Sequence, residues 1–208
     1  MKRFFIEMKL GGEIVLQDGE HHHLCNVLRM RVGDEIIIVC GDEFDYLYKI
    51  EKITKTTSTL RFISKKKNEQ NPSVQTDVYL ASIKPDALHT AVTGLNEIGV
   101  SDLYIFASEF SLKTANIEKL NNIAKQSCKQ CGRSIPLRVH GVIDFKEIPA
   151  NSEIVIGPEG GFSENEKKHL SRIGINTRMY LGKRILRAET AALAAATLMM
   201  KEREGWSR

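Results

Sequence analysis

The stretch EIVIGPEGGFSENE, residues 153–166, sets three glycines and a proline directly behind a short apolar run. Ile154, Val155 and Ile156 read as a strand buried on both faces, because nothing in the run alternates with polar residues. Gly157, Pro158, Gly160 and Gly161 break it with turn chemistry. Ser163 and Glu166 then fit the capping box S-x-x-E, which opens a helix. A strand, a glycine loop and a helix in that order form a unit of a parallel α/β sheet, where ligands collect outside the carboxyl ends of the strands. The loop lacks the lysine and hydroxyl of G-x-x-x-x-G-K-[ST] and is not G-x-G-x-x-G, so a phosphate cradle is disfavoured. A ligand held by backbone amides and carbonyls, such as an adenine ring or an amino-acid-bearing nucleoside, stays open beside a plain tight turn.

Downstream, YLGKRILRAETAALAAATL, residues 180–198, repeats the design. A strand end is followed by Gly182, then by Lys183, Arg184 and Arg187, then by an alanine-rich helix. Two glycine loops at successive strand ends can form two walls of one pocket.

Upstream, residues 74–208 alternate strand and helix. Strands are expected at VQTDVYLAS, VSDLYIFAS, LRVHGVI, SEIVIG and TRMYLG. Helices are expected at DALHTAVTGLNEIG, NIEKLNNIAKQSCKQCG, SENEKKHLSRIG and AETAALAAATLMMKERE. Such alternation predicts a mostly parallel sheet covered by helices. Residues 1–68 read differently. Their strands GGEIVL, DEIIIVC, YLYKIEKIT and STLRFISK surround one helix in DGEHHHLCNVLRM, which predicts a small β-barrel. The charged, amide-rich segment 64–73 reads as the linker between the two domains.

The 208 residues suffice for a sizeable core, and the net charge of +4 points only weakly to an anionic partner. The charge is concentrated. Residues 110–140 hold Lys113, Lys119, Lys125, Lys129, Arg133 and Arg138 against Glu118 alone, a net of +5 that reads either as a nucleic-acid footprint or as a solvated helix face. No apolar run approaches the ~18 residues that span a bilayer, and the start has no long apolar stretch, so the expectation is a cytoplasmic protein without a membrane segment. Cys128 and Cys131 have zinc-ribbon spacing, but Cys25 and Cys40 do not form the second pair, so no metal is expected. Adjacent His21, His22 and His23 on a helix cannot converge on one ion.

The pair IGPEGGFSENE and LGKRILRAETA resembles the C-terminal motifs of the SPOUT methyltransferases of the RsmE type, which methylate N3 of a uridine in 16S ribosomal RNA. The segments KRFFIE and HHLCNVLRMRVGDEIIIVCG resemble that family's PUA-like barrel. LNEIGV and KQCGRSIP resemble its central segments, so the likeness runs through essentially the whole chain. It implies an α/β fold in which a trefoil-knotted SPOUT domain with a mostly parallel sheet follows a small PUA-like barrel. It also implies S-adenosylmethionine as cofactor, 16S RNA or the small subunit as substrate, and a homodimer.

Carried onto this sequence, the resemblance puts Ile156, Gly157, Pro158, Glu159, Gly160, Gly161, Leu181, Gly182, Ile185, Leu186 and Arg187 against the cofactor. Arg187 and Glu189 would stand where cofactor and uridine meet. There Arg187 either stabilises the uracil anion, holds a phosphate or pairs with Glu189. Arg3, Arg29, Lys129, Arg133 and Arg184 would meet RNA, with a structural role equally open for Arg29. The chain departs from the family pattern at Asn26, around Thr93-Gly94, at Phe110 in place of an arginine, and at Lys129. These departures leave a non-catalytic RNA-binding or ribosome-assembly protein, or a SPOUT enzyme for another RNA, as the competing readings.

Overall fold

A computed structural model describes residues 2–8, 10–112, 114–175 and 181–206. Contacts divide the chain into two compact units, one of Met1–Asn71 with Cys128–Ile135, the other of Pro72–Ser127 with Pro136–Arg208.

The first unit is built on a five-stranded sheet in the order β1-β3-β4-β5-β2, from β1 (Arg3–Phe5), β2 (Glu13–Gln17), β3 (Glu35–Val39), β4 (Phe44–Ile53) and β5 (Thr57–Lys67). β1 has no counterpart among the strands expected from sequence, and it pairs parallel to β3, while the other pairings are antiparallel. Among the described residues β1 and β2 are edges, so the expected barrel does not close through hydrogen bonds. Alternation decides which face is buried. Ile14 and Leu16 of β2, Ile36 and Ile38 of β3, Tyr48 and Ile50 of β4 and Leu60 of β5 point into one core. Over them lies α1 (Asp18–His22), continued by a π-helical turn at His23–Val27 that adds Leu24 to that core.

The segment expected as a linker is ordered. β5 runs through Lys67, and Asn68 is only 5% exposed, its amide donating to Asp45 (2.6 Å) and to the Gly132 carbonyl (2.9 Å). The Asn71 side chain accepts from the backbone of Ser134 (3.0 Å) and Ile135 (3.1 Å). The asparagines that look like loop composition therefore satisfy the backbone of the returning segment 128–135.

The second unit has four parallel strands in the order β8-β7-β6-β9: β6 (Asp77–Ala81), β7 (Asp102–Ala107), β8 (Arg138–Asp144) and β9 (Ile154–Ile156). Val78 and Leu80 of β6 face a core shared with α2 (Pro85–Ile98), α3 (Ile117–Cys131) and α5 (Ala188–Glu204). Tyr79 and Ala81, of opposite parity, face a second core with Phe106, Phe145 and Leu170, the last from α4 (Glu164–Arg172). Burial on both faces is why these strands read as continuous apolar runs. Ala188, Ala192, Ala195 and Ala196 of α5 are buried in the first of these cores, so small residues that would also suit a dimer contact pack within the chain.

Candidate functional site at the carboxyl ends of the parallel strands

The chain enters this unit at β6, adds β7 and β8 on one side and then places β9 on the other. The order reverses between β6 and β9, and in open α/β sheets that switch point is where ligands bind. The loop after β9 is the one rich in glycine. Its turn is closed by the Gly161 N–H donating to the Pro158 carbonyl at 2.9 Å, with Gly161 at φ 74°. A Cβ at Gly157 would lie 3.1 Å from the Phe162 ring, and one at Gly160 would lie 3.1 Å from Cβ of Phe110. Glycine at these two sites lets an aromatic side chain close down on the loop. Gly161 is open, with no atom within 4 Å of an added Cβ, and so is Gly182, at φ 101°.

A cavity of about 680 Å³ lies alongside, lined by Ile156, Gly160, Gly161 and Leu181 together with Val155, Phe162 and Leu170. Four of the sequence-predicted cofactor residues thus line one cavity. Pro158 is buried in its turn and Glu159 is exposed beside it. Gly157, Gly182, Ile185, Leu186 and Arg187 are not part of that lining. Ile185 stands fully exposed. The strand expected at residues 177–182 falls, through residue 180, outside the described residues.

Arg187 is the N-cap of α5, and its side chain is 84% exposed. Its guanidinium comes only to 4.0 Å from the Glu189 carboxylate, which is 13% exposed. That separation is too long for a hydrogen bond, so Arg187 and Glu189 form a loose ion pair.

α4 begins as the sequence required. Ser163 accepts from the Glu166 N–H (3.3 Å), and the Glu166 carboxylate accepts from the Ser163 N–H (2.9 Å). Its other oxygen accepts from the Glu109 N–H (2.9 Å), which ties the loop after β7 to the helix. No local pattern signals this second use, because Glu109 and Glu166 are 57 positions apart.

The cations expected to meet RNA are distributed differently. Arg3 forms a two-pronged pair with Asp45 (2.8 and 2.5 Å) and is mostly covered. Arg133, also expected to meet RNA, is 3% exposed, so its side chain is covered in this structure. Lys129 lies 5.1 Å over the ring of Phe4, and burial pushes its ammonium below the ordinary lysine range. Arg138 is bound to Asp102. Within the +5 segment Arg133 is buried and Lys129 partly covered, whereas Lys119 and Arg138 are exposed, as are Arg29 and Arg184. The three histidines part company, His21 to Ser58 (2.8 Å), His22 to Asn26 (2.9 Å) and His23 edge-on to Phe4 (5.2 Å). Among the described residues no cluster of histidine, cysteine and carboxylate side chains is arranged to hold a metal ion, and no helix is long and apolar enough to cross a membrane.

Comparison with known proteins agrees with this architecture. An RNA methyltransferase domain matches residues 69–153 and 149–200, and an RNA methyltransferase PUA domain matches residues 16–63. Ribosomal RNA small subunit methyltransferase E of Helicobacter pylori is 29% identical over 223 residues, covering 93% of this chain and 98% of that protein. The protein of the same name from Bacillus subtilis is 26% identical, covering 98% of each. Among solved structures, a ribosomal RNA small subunit methyltransferase E from Neisseria gonorrhoeae bound to S-adenosyl methionine superposes with a TM-score of 0.85 at 24% identity, covering 97% of this chain and 98% of that one. A probable rRNA-methyltransferase from Porphyromonas gingivalis gives 0.88 at 21% identity, covering 100% of both. The chain belongs to the RNA methyltransferase family, its methyltransferase domain following a PUA domain.

Proposed function

We propose that this protein transfers a methyl group from S-adenosylmethionine to N3 of a uridine in the RNA of the small ribosomal subunit. The observation that carries the reading is the glycine loop at the switch point of the parallel sheet, set in a chain whose full-length relatives are named small subunit methyltransferase E. The residues present suit such a cofactor. A loop with little side-chain bulk and a largely apolar cavity beside it can take an adenine ring through backbone groups. Ile156, Gly157, Pro158, Glu159, Gly160, Gly161, Leu181, Gly182, Ile185 and Leu186 would hold it.

The bound cofactor supplies an activated methyl on its sulfonium. The protein's part is positioning and charge. N3 of uracil carries a proton at neutral pH, and losing it leaves an anion spread over O2 and O4. Arg187, exposed and without a short ion pair, is the cation available to stabilise that anion. A uridine in a stack cannot present N3, so the target is single-stranded or flipped out. Residues 1–68 form the RNA-holding domain of this reading and residues 74–208 the knotted methyltransferase domain, working as a homodimer in the cytoplasm, where ribosomal RNA is found. Arg29 and Arg184 are its phosphate contacts.

Mass-spectrometric mapping of N3-methyluridine in 16S RNA from a deletion strain, complemented with the wild-type or Arg187→Ala gene, tests the proposal. The deletion should remove one methyl group, the wild type restore it and the variant fail to do so. An unchanged methyl level on deletion refutes the reading.

A further inference from the structure

A second cavity, of about 370 Å³, opens beside the capping box of Ser163 and Glu166, bordered by Ser108, Asp144, Phe145, Lys146 and His169. It sits beyond the carboxyl ends of β7 and β8 and against the first turn of α4. Phe110, two residues past Ser108, packs its Cβ on Gly160, so the loop bordering this cavity touches the glycine loop.

Asp144, Ser163 and Glu166 are already engaged, while the Glu109, Lys146 and Asn165 side chains are exposed. Glu166 accepts from two backbone amides, and Asp144 accepts from the Lys146 N–H at 2.8 Å. Two other groups are not engaged. Among the described residues, Ser108 Oγ and His169 Nε2 are buried without a hydrogen-bond partner. Ser108 is 6% exposed, and its own backbone N–H is used by Ser111 (2.8 Å). The His169 ring is backed by that of Phe145, with centroids 5.5 Å apart. A buried polar group without a partner costs about 1–3 kcal/mol. Two of them around one cavity are best explained by an occupant that uses both.

We propose that this cavity receives the pyrimidine base that is methylated, with Ser108 and His169 hydrogen-bonded to the two carbonyl oxygens flanking N3. A hydroxyl and an imidazole N–H can each donate to a carbonyl oxygen. Donors at O2 and O4 leave N3 free between them for the methyl group and stabilise both oxygens when the ring becomes an anion. Phe145, 7% exposed, supplies an aromatic wall for the ring. The cavity's size lies within the ~300–1,000 Å³ typical of small-molecule sites. The proposal rests on the methyltransferase reading above and identifies its substrate subsite.

Histidine-ring NMR on the full chain, with the His169 signals assigned through His169→Gln, tests base binding with uridine 5′-monophosphate as the probe. The expected result is a saturable shift of the His169 signals that ribose 5-phosphate does not reproduce. Kinetics on small-subunit RNA should show that Ser108→Ala and His169→Gln each raise KM or lower kcat, cutting kcat/KM about tenfold. Calorimetric affinity for S-adenosylmethionine should stay within about twofold, which also shows that the variants fold. If the cofactor binds and RNA is methylated while both variants keep wild-type kcat/KM, the subsite is wrong and the methyltransferase reading stands. The subsite is equally wrong if ribose 5-phosphate gives the full shift, because the cavity would then recognise phosphate. If wild-type protein neither binds cofactor nor methylates RNA, the broader reading fails first.

Discussion

Arg29 sits at φ 55°, where the helical segment of the first unit ends and the Met30 N–H turns back to the Leu24 carbonyl at 3.1 Å. A left-handed residue at a helix end is normally glycine, and a side chain there costs about 1 kcal/mol. An exposed arginine at such a position is compatible with the phosphate contact proposed for it. Arg29→Gly should leave the unfolding midpoint in urea unchanged or raise it. It should also weaken RNA binding and lower the slope of log affinity against log salt by about 1. A destabilised protein with unaltered RNA affinity would assign Arg29 to the fold. Arg3 is the opposite case, since its two-pronged pair with Asp45 explains it without any RNA.

Among the elements, β7 and β8 are held by more than their ladder. Asp102 of β7 takes the Arg138 guanidinium at 2.8 Å and the His140 ring at 2.6 Å, both from β8 and two positions apart on one face. The His140 ring stacks on Tyr104 (4.2 Å), which stacks on Tyr79 (4.8 Å). Burial alone would raise the Asp102 carboxyl, but the hydrogen bonds from Arg138 and His140 outweigh it and hold its pKa below the ordinary carboxylate range. A depressed pKa gives stability that is present above the unfolded-state value of about 3.9 and is lost as pH falls through the folded-state value. Asp102→Asn should therefore lower stability by about 1–3 kcal/mol at neutral pH. Denaturant melts between about pH 5 and pH 2 should show the variant losing less on acidification than the wild type. Parallel curves would mean that Asp102 does not titrate as described.

For the molecule as a whole, the proposed cofactor binds only the folded state, so it must stabilise that state by mass action. At a concentration about 100 times its Kd the gain is about 2.7 kcal/mol, which for a chain of this size is a rise in Tm of about 5–10 °C. Thermal scans with S-adenosylmethionine should show that shift, and Gly157→Ala or Gly160→Ala should reduce it. An added methyl at either position would press Phe162 or Phe110 out of its contact with the loop. No shift at saturating cofactor would contradict the pocket.

Much of this molecule is legible in its sequence because much of it is local. The alternation of β6, α2, β7, α3, β8, β9 and α4, the break at Gly157 and the capping box at Ser163 and Glu166 depend on neighbours within a few residues. Periodicity and turn chemistry report those neighbours. The short parallel β1 escapes such signals, because its three residues pair with β3 some thirty positions away and carry no pattern of their own. The composition of residues 64–73 suggests a linker, and only the partners of Asn68 and Asn71 turn that segment into structure. The sequence by itself determined the α/β alternation and where a ligand loop would lie. The tertiary structure decided which charges are covered, burying Arg133, binding Arg138 to Asp102 and leaving Arg187 exposed, and it brought Ser108 and His169 to one cavity. Hydrogen bonding and desolvation act between groups that are close in space, and for these residues closeness is set by chain crossings that no local pattern records.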